Sequence, residues 1–400
     1  MSATDASPDP ERADPVQLLS GGWIYDRLVV GPLGEPPDRL PLKRTGILMA
    51  AAWLPLAILS AVAGAFSPSD VEHLTFSEDL TTHIRLLLGI PALLLIEPVV
   101  RERLKLVLNY LGHSDLIRGQ DMPRWNEAMQ RTRRRRDSLV AELLLLALAV
   151  AVSFWGTFSA ANDLHTDIRL GAWRWTDSET LSPAGWWYTV VAGPIVLFHL
   201  LRWFYRIGLW TNLLRSLSRL RLQLRPAHPD LAGGLGLLTF SQTAFALFFA
   251  AISVMSAGSL AYEILYAGHS VMEYRYLVAL FVLASLVLMY GPLLMFARSV
   301  LLAREAAFSE YAATANLMFT EYESKWIAGV WKGDPSGNMD PSAMTDYSQV
   351  FENIRRMRPI PIDPMSVVLA ALIVLLPYVP LIFTALSLEE VLRRLAKVVL

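Results

Sequence analysis

Residues 139 to 159 read LVAELLLLALAVAVSFWGTFS, an apolar run interrupted by one charged side chain, Glu142. A helix of about 20 such residues crosses the hydrocarbon core of a bilayer. Six further runs of similar composition meet or approach this length: 47–66, 84–100, 186–206, 235–258, 276–297 and 364–386. The sequence therefore predicts an all-α integral membrane protein with about seven transmembrane helices, for which the lipid bilayer is the first partner.

Composition agrees with this prediction and excludes several kinds of chemistry. The chain is 54% hydrophobic, has a formal net charge of −1 and contains no cysteine. Disulfide frameworks, thiolate metal sites and thiol catalysis are therefore excluded together. The first 20 residues contain acidic residues and prolines where a cleaved signal peptide needs a basic start and an apolar run, so we expect no cleavage. We expect no nucleic-acid partner.

The distribution of Lys and Arg predicts the orientation, because basic segments stay on the cytoplasmic side. Segments 1–44, 101–138, 211–234 and 298–363 hold five, ten, four and seven basic residues, whereas segments 67–80, 161–185 and 266–275 hold none, two and one. The first group is expected in the cytoplasm, together with the N-terminus. The second run is short and contains Gly89 and Pro91, so a re-entrant segment is the alternative, but the ten basic residues after it favour a full crossing. Four tryptophans near the outer end of the fourth run predict a headgroup anchor belt, with a ligand platform as the alternative: Trp173, Trp175, Trp186 and Trp187.

The same pattern divides the chain into four parts. Residues 1–43 are expected to be a largely disordered cytoplasmic tail, in which only 21–30 is able to dock. Residues 44–300 hold six transmembrane helices, and 301–363 form a cytoplasmic segment of helix and loop. Residues 364–400 hold the seventh helix and an amphipathic tail, in which Ser387 and Glu390 form a capping box that predicts a C-terminal interfacial helix.

Two helices are expected to continue from the membrane into the cytoplasm. The fourth run extends to residue 224 and the sixth to residue 328 before a helix breaker occurs. Along the second extension, aromatic side chains recur every three or four residues on one helix face. We call Phe308, Tyr311, Phe319, Tyr322 and Trp326 the aromatic stripe. Because an exposed aromatic stripe is unfavourable in water, it is expected to pack on the chain's own loops, on a second copy or on a partner protein.

Ionisable and polar side chains at membrane depth are the candidates for chemistry, because each is costly there. We call Glu97, Glu142, His199, Arg202 and Gln242 the intramembrane polar cluster; all are expected in the cytoplasmic half of the membrane. His199 and Arg202 share a helix face, and either glutamate is able to neutralise the arginine. The cluster predicts either a polar clamp between helices or a proton- or ion-linked site with His199 and Glu97 as titrating groups. Glycine and proline interruptions at 89–91, 193–194 and 291–292 are typical of plain kinks and also of transporter binding sites.

Other chemistry has weaker support in the sequence. The glycine-rich entry His228–Gly236 is expected to be a tight turn, with phosphate binding as the alternative. The Asp163-x-His165-x-Asp167 pattern has the residue types of a metal site, but loop histidines near carboxylates are usually solvated, so we expect no metal there. The predicted spans contain no aspartate and the chain no His-Glu-x-x-His, which excludes two classes of intramembrane protease. No enzymatic activity, metal or cofactor is expected.

Three motifs carry a resemblance to a known family. The His-Pro-Asp-x-Ala-Gly-Gly-Leu-Gly entry, the Arg-Arg-Met-Arg-Pro run at 355–359 and the segment from Leu376-Pro377 to Leu392 resemble a family of bacterial multi-pass inner-membrane proteins. The resemblance covers most of the chain beyond the N-terminal tail. It implies the same membrane architecture and brings no activity or site residue with it. The sequence thus favours an inner-membrane scaffold or sensor that binds a partner or a second copy through its cytoplasmic helices; a small-solute or ion transporter is the alternative.

Overall fold

The computed structural model describes residues 21–22, 41–67, 75–162, 172–176, 180–266, 268–327 and 341–385. These residues form helices and loops, with two isolated bridges and no β-strand. Within this part of the chain, seven helices are long and apolar enough to cross a membrane, which confirms the predicted all-α, seven-span fold. Most of the predicted N-terminal tail and the predicted C-terminal interfacial helix lie outside the described residues.

Nine helices make up the described architecture. In chain order they are α1 (Leu42–Val62), α2 (Leu80–His113), α3 (Met122–Arg136), α4 (Leu139–Ser159), α5 (Pro183–Ser218), α6 (Gly236–Tyr266), α7 (Val271–Tyr322), α8 (Pro341–Arg356) and α9 (Pro364–Phe383). All except α3 and α8 are candidate membrane spans. The 34 residues of α2 are long enough for a full crossing. With 52 residues, α7 is about 78 Å long, more than twice the thickness of the hydrocarbon core.

The glycine and proline interruptions change the local helix type without ending the helices. The π-helical turns Ile84–Gly89 and Tyr188–Ala192 lie within α2 and α5, and a 3-10 turn, Gly291–Phe296, lies within α7. At the π turn of α5, the Ser153 hydroxyl donates a hydrogen bond to the carbonyl of Thr189 at 2.8 Å. Neighbouring side chains therefore satisfy backbone groups that an irregular turn leaves open.

Large apolar side chains cover the outside of the spans. Trp155 and Leu144 on α4 are 73% and 65% exposed, and many similar residues lie on α1, α7 and α9. A soluble protein does not carry this much contiguous apolar surface, whereas a bilayer solvates it. The architecture is that of a multi-pass membrane protein.

The chain divides into two compact units. The first consists of residues Met1–Gly112 and Asn126–Trp210 and includes most of α5, which bonds to α1, α2 and α4. The indole of Trp187 on α5 donates to the carbonyl of Ala51 on α1 at 3.1 Å, and the indole of Trp203 donates to Leu93 on α2 at 2.8 Å. On the other side, Ser153 joins α4 to α5.

The second unit consists of His113–Trp125 and Thr211–Leu400, and α9 packs against α6 and α7 within it. The hydroxyls of Tyr378 on α9 and Ser256 on α6 are 2.5 Å apart, and Tyr290 on α7 donates to the carbonyl of Ser366 at 2.9 Å. This packing division differs from the four sequence ranges, which separate segments by their predicted side of the membrane and stay predictions.

One end of the first unit is held by a buried carboxylate, Asp79. Its Oδ2 accepts hydrogen bonds from the Trp173 indole at 3.0 Å and from Arg174 at 3.3 Å, and Oδ1 caps α2 at the Thr82 N–H. Burial raises the pKa of Asp79, but the charge of Arg174 and these hydrogen bonds outweigh burial and hold it below its ordinary value. Trp173 is buried, so its assignment to a headgroup anchor belt is wrong; a carboxylate partner fixes it inside the protein.

The helical extension predicted to reach residue 224 is also wrong in its last part. α5 ends at Ser218, and the chain then becomes extended. Leu222 forms an antiparallel bridge with Ile117, and the N–H of Gln223 donates to the carbonyl of Leu116 at 2.8 Å. Pairing with this distant segment replaces the helical hydrogen bonds.

Candidate functional site

The centre of the polar cluster is a buried ion pair between α2 and α5. The Nη2 of Arg206 lies 2.8 Å from Oε1 of Glu97, and both side chains are less than a tenth exposed. The guanidinium also lies over the ring of Trp203, 5.2 Å from its centroid. Because the same indole bonds to Leu93, the arginine is positioned by a side chain that is itself fixed to α2.

Arg202, the predicted partner of a carboxylate, lies one turn before Arg206 on the same helix face. Its Nη2 donates to the carbonyl of Gly21 at 2.5 Å, and its charge also acts on Glu97. Gly22 has φ +154°, and a Cβ there would collide with a carboxylate oxygen of Glu142 and lie 3.3 Å from Arg202 Nη2. Glycine is therefore required at position 22, beside Glu142 of α4 and Arg202 of α5.

The other two cluster members have different surroundings. The Nδ1 of His199 lies 2.7 Å from the carbonyl of Ile195, and the ring interacts electrostatically with Glu97 and Arg202. Gln242 belongs to the second compact unit, where its side chain is buried in α6. Its backbone carbonyl accepts the N–H of Phe245 at 3.0 Å. The structure thus places four of the five predicted residues in one unit: Glu97, Glu142, His199 and Arg202.

Arg206 is not among the predicted site residues, because in the sequence it is the last residue of the fourth apolar run. The available signal was its spacing: 199, 202 and 206 share one face of a helix. Chemically, the arrangement holds an ionised carboxylate between guanidinium groups, with a histidine close by. Such a set of charges is able to lock three helices together, and it is also able to respond to a proton or cation.

The glycine-rich entry is closed by the protein's own carboxylate. Asp230 accepts the N–H groups of Ala232 at 2.9 Å, Gly234 at 3.1 Å and Gly236 at 2.8 Å. A Cβ at Gly236 would lie 2.9 Å from the Asp230 side chain, which explains the glycine. The alternative of phosphate binding here is therefore wrong, because an internal anion already satisfies the N–H groups that a phosphate would need.

The first half of the aromatic stripe contacts α8, and the second half extends beyond it. α8 packs antiparallel on α7: the rings of Phe308 and Phe351 are 5.5 Å apart, and those of Tyr311 and Tyr347 are stacked at 6.1 Å. Tyr347 also donates to the carbonyl of Tyr311 at 2.6 Å. The first half of the stripe therefore contacts the chain's own α8, and Phe308 remains 45% exposed beside it.

The second half extends past the end of α8. Continuing the register of the antiparallel pair places Pro341, the first residue of α8, opposite Met318. Phe319, just beyond this point, is 49% exposed, and Leu317 and Ile327 on the same helix are 74% and 73% exposed. We call Leu317, Phe319 and Ile327 the hairpin tip. Tyr322 is half-buried, and Trp326 lies in the π-helical turn Glu323–Ile327 with its side chain outside the described residues.

Among the described residues, no group of three or more His, Asp or Glu side chains is placed to hold a metal ion. The Asp163-x-His165-x-Asp167 pattern lies outside them. Comparisons of the chain with family models, curated proteins and solved structures gave no match. The resemblance to a bacterial inner-membrane family therefore stays a prediction.

Proposed function

We propose that this chain is a scaffold or sensor of the bacterial inner membrane that binds a partner protein, or a second copy of itself, through the cytoplasmic hairpin of α7 and α8. One observation carries the proposal: α7 continues far beyond the length needed to cross the membrane and ends in the exposed apolar hairpin tip. Fixed aromatic packing against α8 holds the hairpin in one geometry. A rigid helix with apolar side chains at its open end is a common form of protein-binding surface.

The proposed orientation places the N-terminus, α3 and the hairpin in the cytoplasm, since the Lys and Arg residues concentrate there. Reporter fusions after Arg135 and Arg221 should report a cytoplasmic position, and fusions after Glu78 should report an external one. The measurement is the activity of a reporter that folds on only one side of the membrane. An external signal after Arg135 would contradict both the orientation and a cytoplasmic hairpin.

The hairpin tip is tested by the double variant Leu317→Glu with Phe319→Glu. Both side chains are exposed, so the change in the free energy of unfolding should stay within about 0.5 kcal/mol. Loss of two apolar anchors should weaken partner binding by about 2 kcal/mol or more for each anchor. The measurement is photo-cross-linking in intact cells from position 327. The adduct should be lost in the variant, and an adduct of twice the chain's mass would identify a second copy.

The matched control is Ala306→Glu with Ser309→Glu, which adds the same charge at exposed positions of the same helix. It should leave the adduct unchanged. An adduct of equal yield in the parent and both variants would show that the tip is not the binding surface. The absence of any adduct in the parent would also count against partner binding there.

Transport of a small solute or ion is a second proposal, supported by the ion pair at Glu97 and by the π-helical turns in α2 and α5, which frequently occur at functional sites. Flux in proteoliposomes under a pH or cation gradient separates the two proposals. A transporter supports such a flux, whereas a scaffold does not.

A further inference from the structure

A cavity of about 570 Å³ lies within the second compact unit, beside the extended segment that follows α5. Two small residues of α7, Ser299 and Ala303, are four positions apart and form one wall. The extended segment forms the other wall, and its bridge to Ile117 brings Arg118 to the same opening. The lining residues are Arg118, Leu220, Arg221, Leu222, Gln223, Leu224, Ser299 and Ala303.

The polar side chains that line this cavity have unused hydrogen-bond donors. In the part of the chain with described positions, the side chains of Arg118, Arg221, Gln223 and Ser299 make no hydrogen bond or ion pair. The acid nearest in the chain, Asp121, is already engaged: its Oδ1 lies 3.4 Å from Arg124 and its Oδ2 accepts the backbone N–H of Arg221 at 3.4 Å. The cavity lining contains no carboxylate.

Three other arginines of the same unit do have carboxylate partners. Arg358 pairs with Asp363 at 3.0 Å, and Arg355 and Arg356 both pair with Glu352. Two guanidinium groups without a counter-charge at one opening create a positive potential that a bound anion would neutralise.

We propose that this cavity binds a phosphate-bearing anion, with Arg118 and Arg221 as its charged ligands. The planar guanidinium group presents paired N–H donors that match two phosphate oxygens. Gln223 and Ser299 add neutral donors. The half-buried Leu220, Leu222 and Leu224 supply apolar contacts for the carbon part of a phosphate ester. The site is separate from the hairpin tip and does not depend on partner binding there.

The phosphate has two possible sources with the same chemistry. Ser299 follows the sixth apolar run by two residues, so the cavity lies close to the depth of lipid headgroups. An anionic phospholipid would place its phosphate between the two arginines, and a free phosphate compound would enter from the water. The experiment must therefore test a lipid and a soluble anion separately.

The test uses the full-length protein, the variant Arg118→Gln with Arg221→Gln, and the control Arg215→Gln with Arg219→Gln. The control removes the same charge from exposed positions that do not line the cavity. The lipid arm measures retention of phosphatidylglycerol over phosphatidylcholine by native mass spectrometry after extraction from nanodiscs of both lipids. The soluble arm measures the rise in unfolding temperature of delipidated protein with inorganic phosphate.

We expect binding of one probe to weaken by about tenfold or more for each arginine removed, because bonds to charged groups are lost. Loss in the lipid arm alone assigns a phospholipid, and loss in the phosphate arm alone assigns a soluble anion. A third variant, Ala303→Phe, narrows the cavity without changing charge and should also weaken binding. Equal binding by the pocket and control variants, undiminished binding by Ala303→Phe, or no binding of either probe by the parent would overturn the proposal.

Discussion

The variant Glu97→Gln should lower the free energy of unfolding of the full-length protein by about 3 to 5 kcal/mol. The substitution keeps the shape of the side chain and removes its charge. Arg206 would then remain buried without its counter-ion, and moving a charge into a medium of low polarity is unfavourable by several kcal/mol. Arg206 cannot avoid this by losing its proton, because arginine stays charged in proteins.

Thermal unfolding in detergent measures this effect, and two further variants control it. Glu102 lies on the same helix, is 56% exposed and is 3.9 Å from Arg101, so Glu102→Gln should change stability by less than about 1 kcal/mol. Adding Arg206→Met to Glu97→Gln removes the second charge and should recover most of the loss. If Glu97→Gln and Glu102→Gln behave alike, the ion pair does not stabilise the protein.

The seven spans could be predicted because each depends on a local property. An apolar run of sufficient length forms a spanning helix whatever its neighbours are, and the run at 139–159 begins in the sequence where α4 begins in the structure. Helix interruptions at Gly89, Gly193 and Gly291 were also visible in the sequence. Their outcome, continuous helices with π or 3-10 turns, depends on partners such as Ser153, which the sequence does not identify.

Contacts between helices could be predicted only in part. The sequence showed that Glu97 and an arginine of the fourth span lie at a similar depth, but choosing between Arg202 and Arg206 depends on how α2 and α5 are rotated. These two arginines are one helical turn apart, so no periodicity separates them. The role of Gly21 and Gly22 could not be predicted either, because they are far in sequence from the arginine and glutamate that they contact.

The packing of the aromatic stripe could also be predicted only in part. Its spacing predicted one apolar face, and the structure divides that face because α8 starts opposite Met318. The sequence left self-packing, a second copy and a partner as alternatives. Phe308 and Tyr311 contact α8, whereas Phe319 lies beyond its first residue and is 49% exposed. The cavity at Arg118 and Arg221 could not be predicted, since it joins segments more than a hundred residues apart.

The second large effect is expected at the entry to α6, where Asp230→Ala should lower the free energy of unfolding by about 2 to 4 kcal/mol. The carboxylate accepts three backbone N–H groups, those of Ala232, Gly234 and Gly236. Hydrogen bonds to a charged acceptor each contribute about 1.5 to 3 kcal/mol. The total falls below their sum because the Asp230 side chain is 20% exposed, so water is able to reach part of the loop.

Backbone strain favours opening of the turn once its hydrogen bonds are lost. Leu231 has φ 55°, a left-handed conformation that is unfavourable by about 1 to 2 kcal/mol for a residue with a Cβ. The bonds of Asp230 hold this turn, and the carbonyl of Leu231 accepts the N–H of Arg358 at 2.8 Å. Without the carboxylate, the strained turn should open, and the contact with Arg358 should weaken with it.

Hydrogen exchange and thermal unfolding measure the two consequences of Asp230→Ala together. The amides of residues 232 to 236 should exchange faster, and the unfolding temperature should fall. Asp230→Asn keeps one acceptor oxygen and loses the charge, so it should show about half of the loss in stability. Asp346→Ala removes a carboxylate from an exposed position of α8 and should leave both measurements unchanged. Unchanged exchange at 232 to 236 in Asp230→Ala would mean that the glycine-rich turn is held by its backbone alone, and the N–H groups would then be open to an external anion.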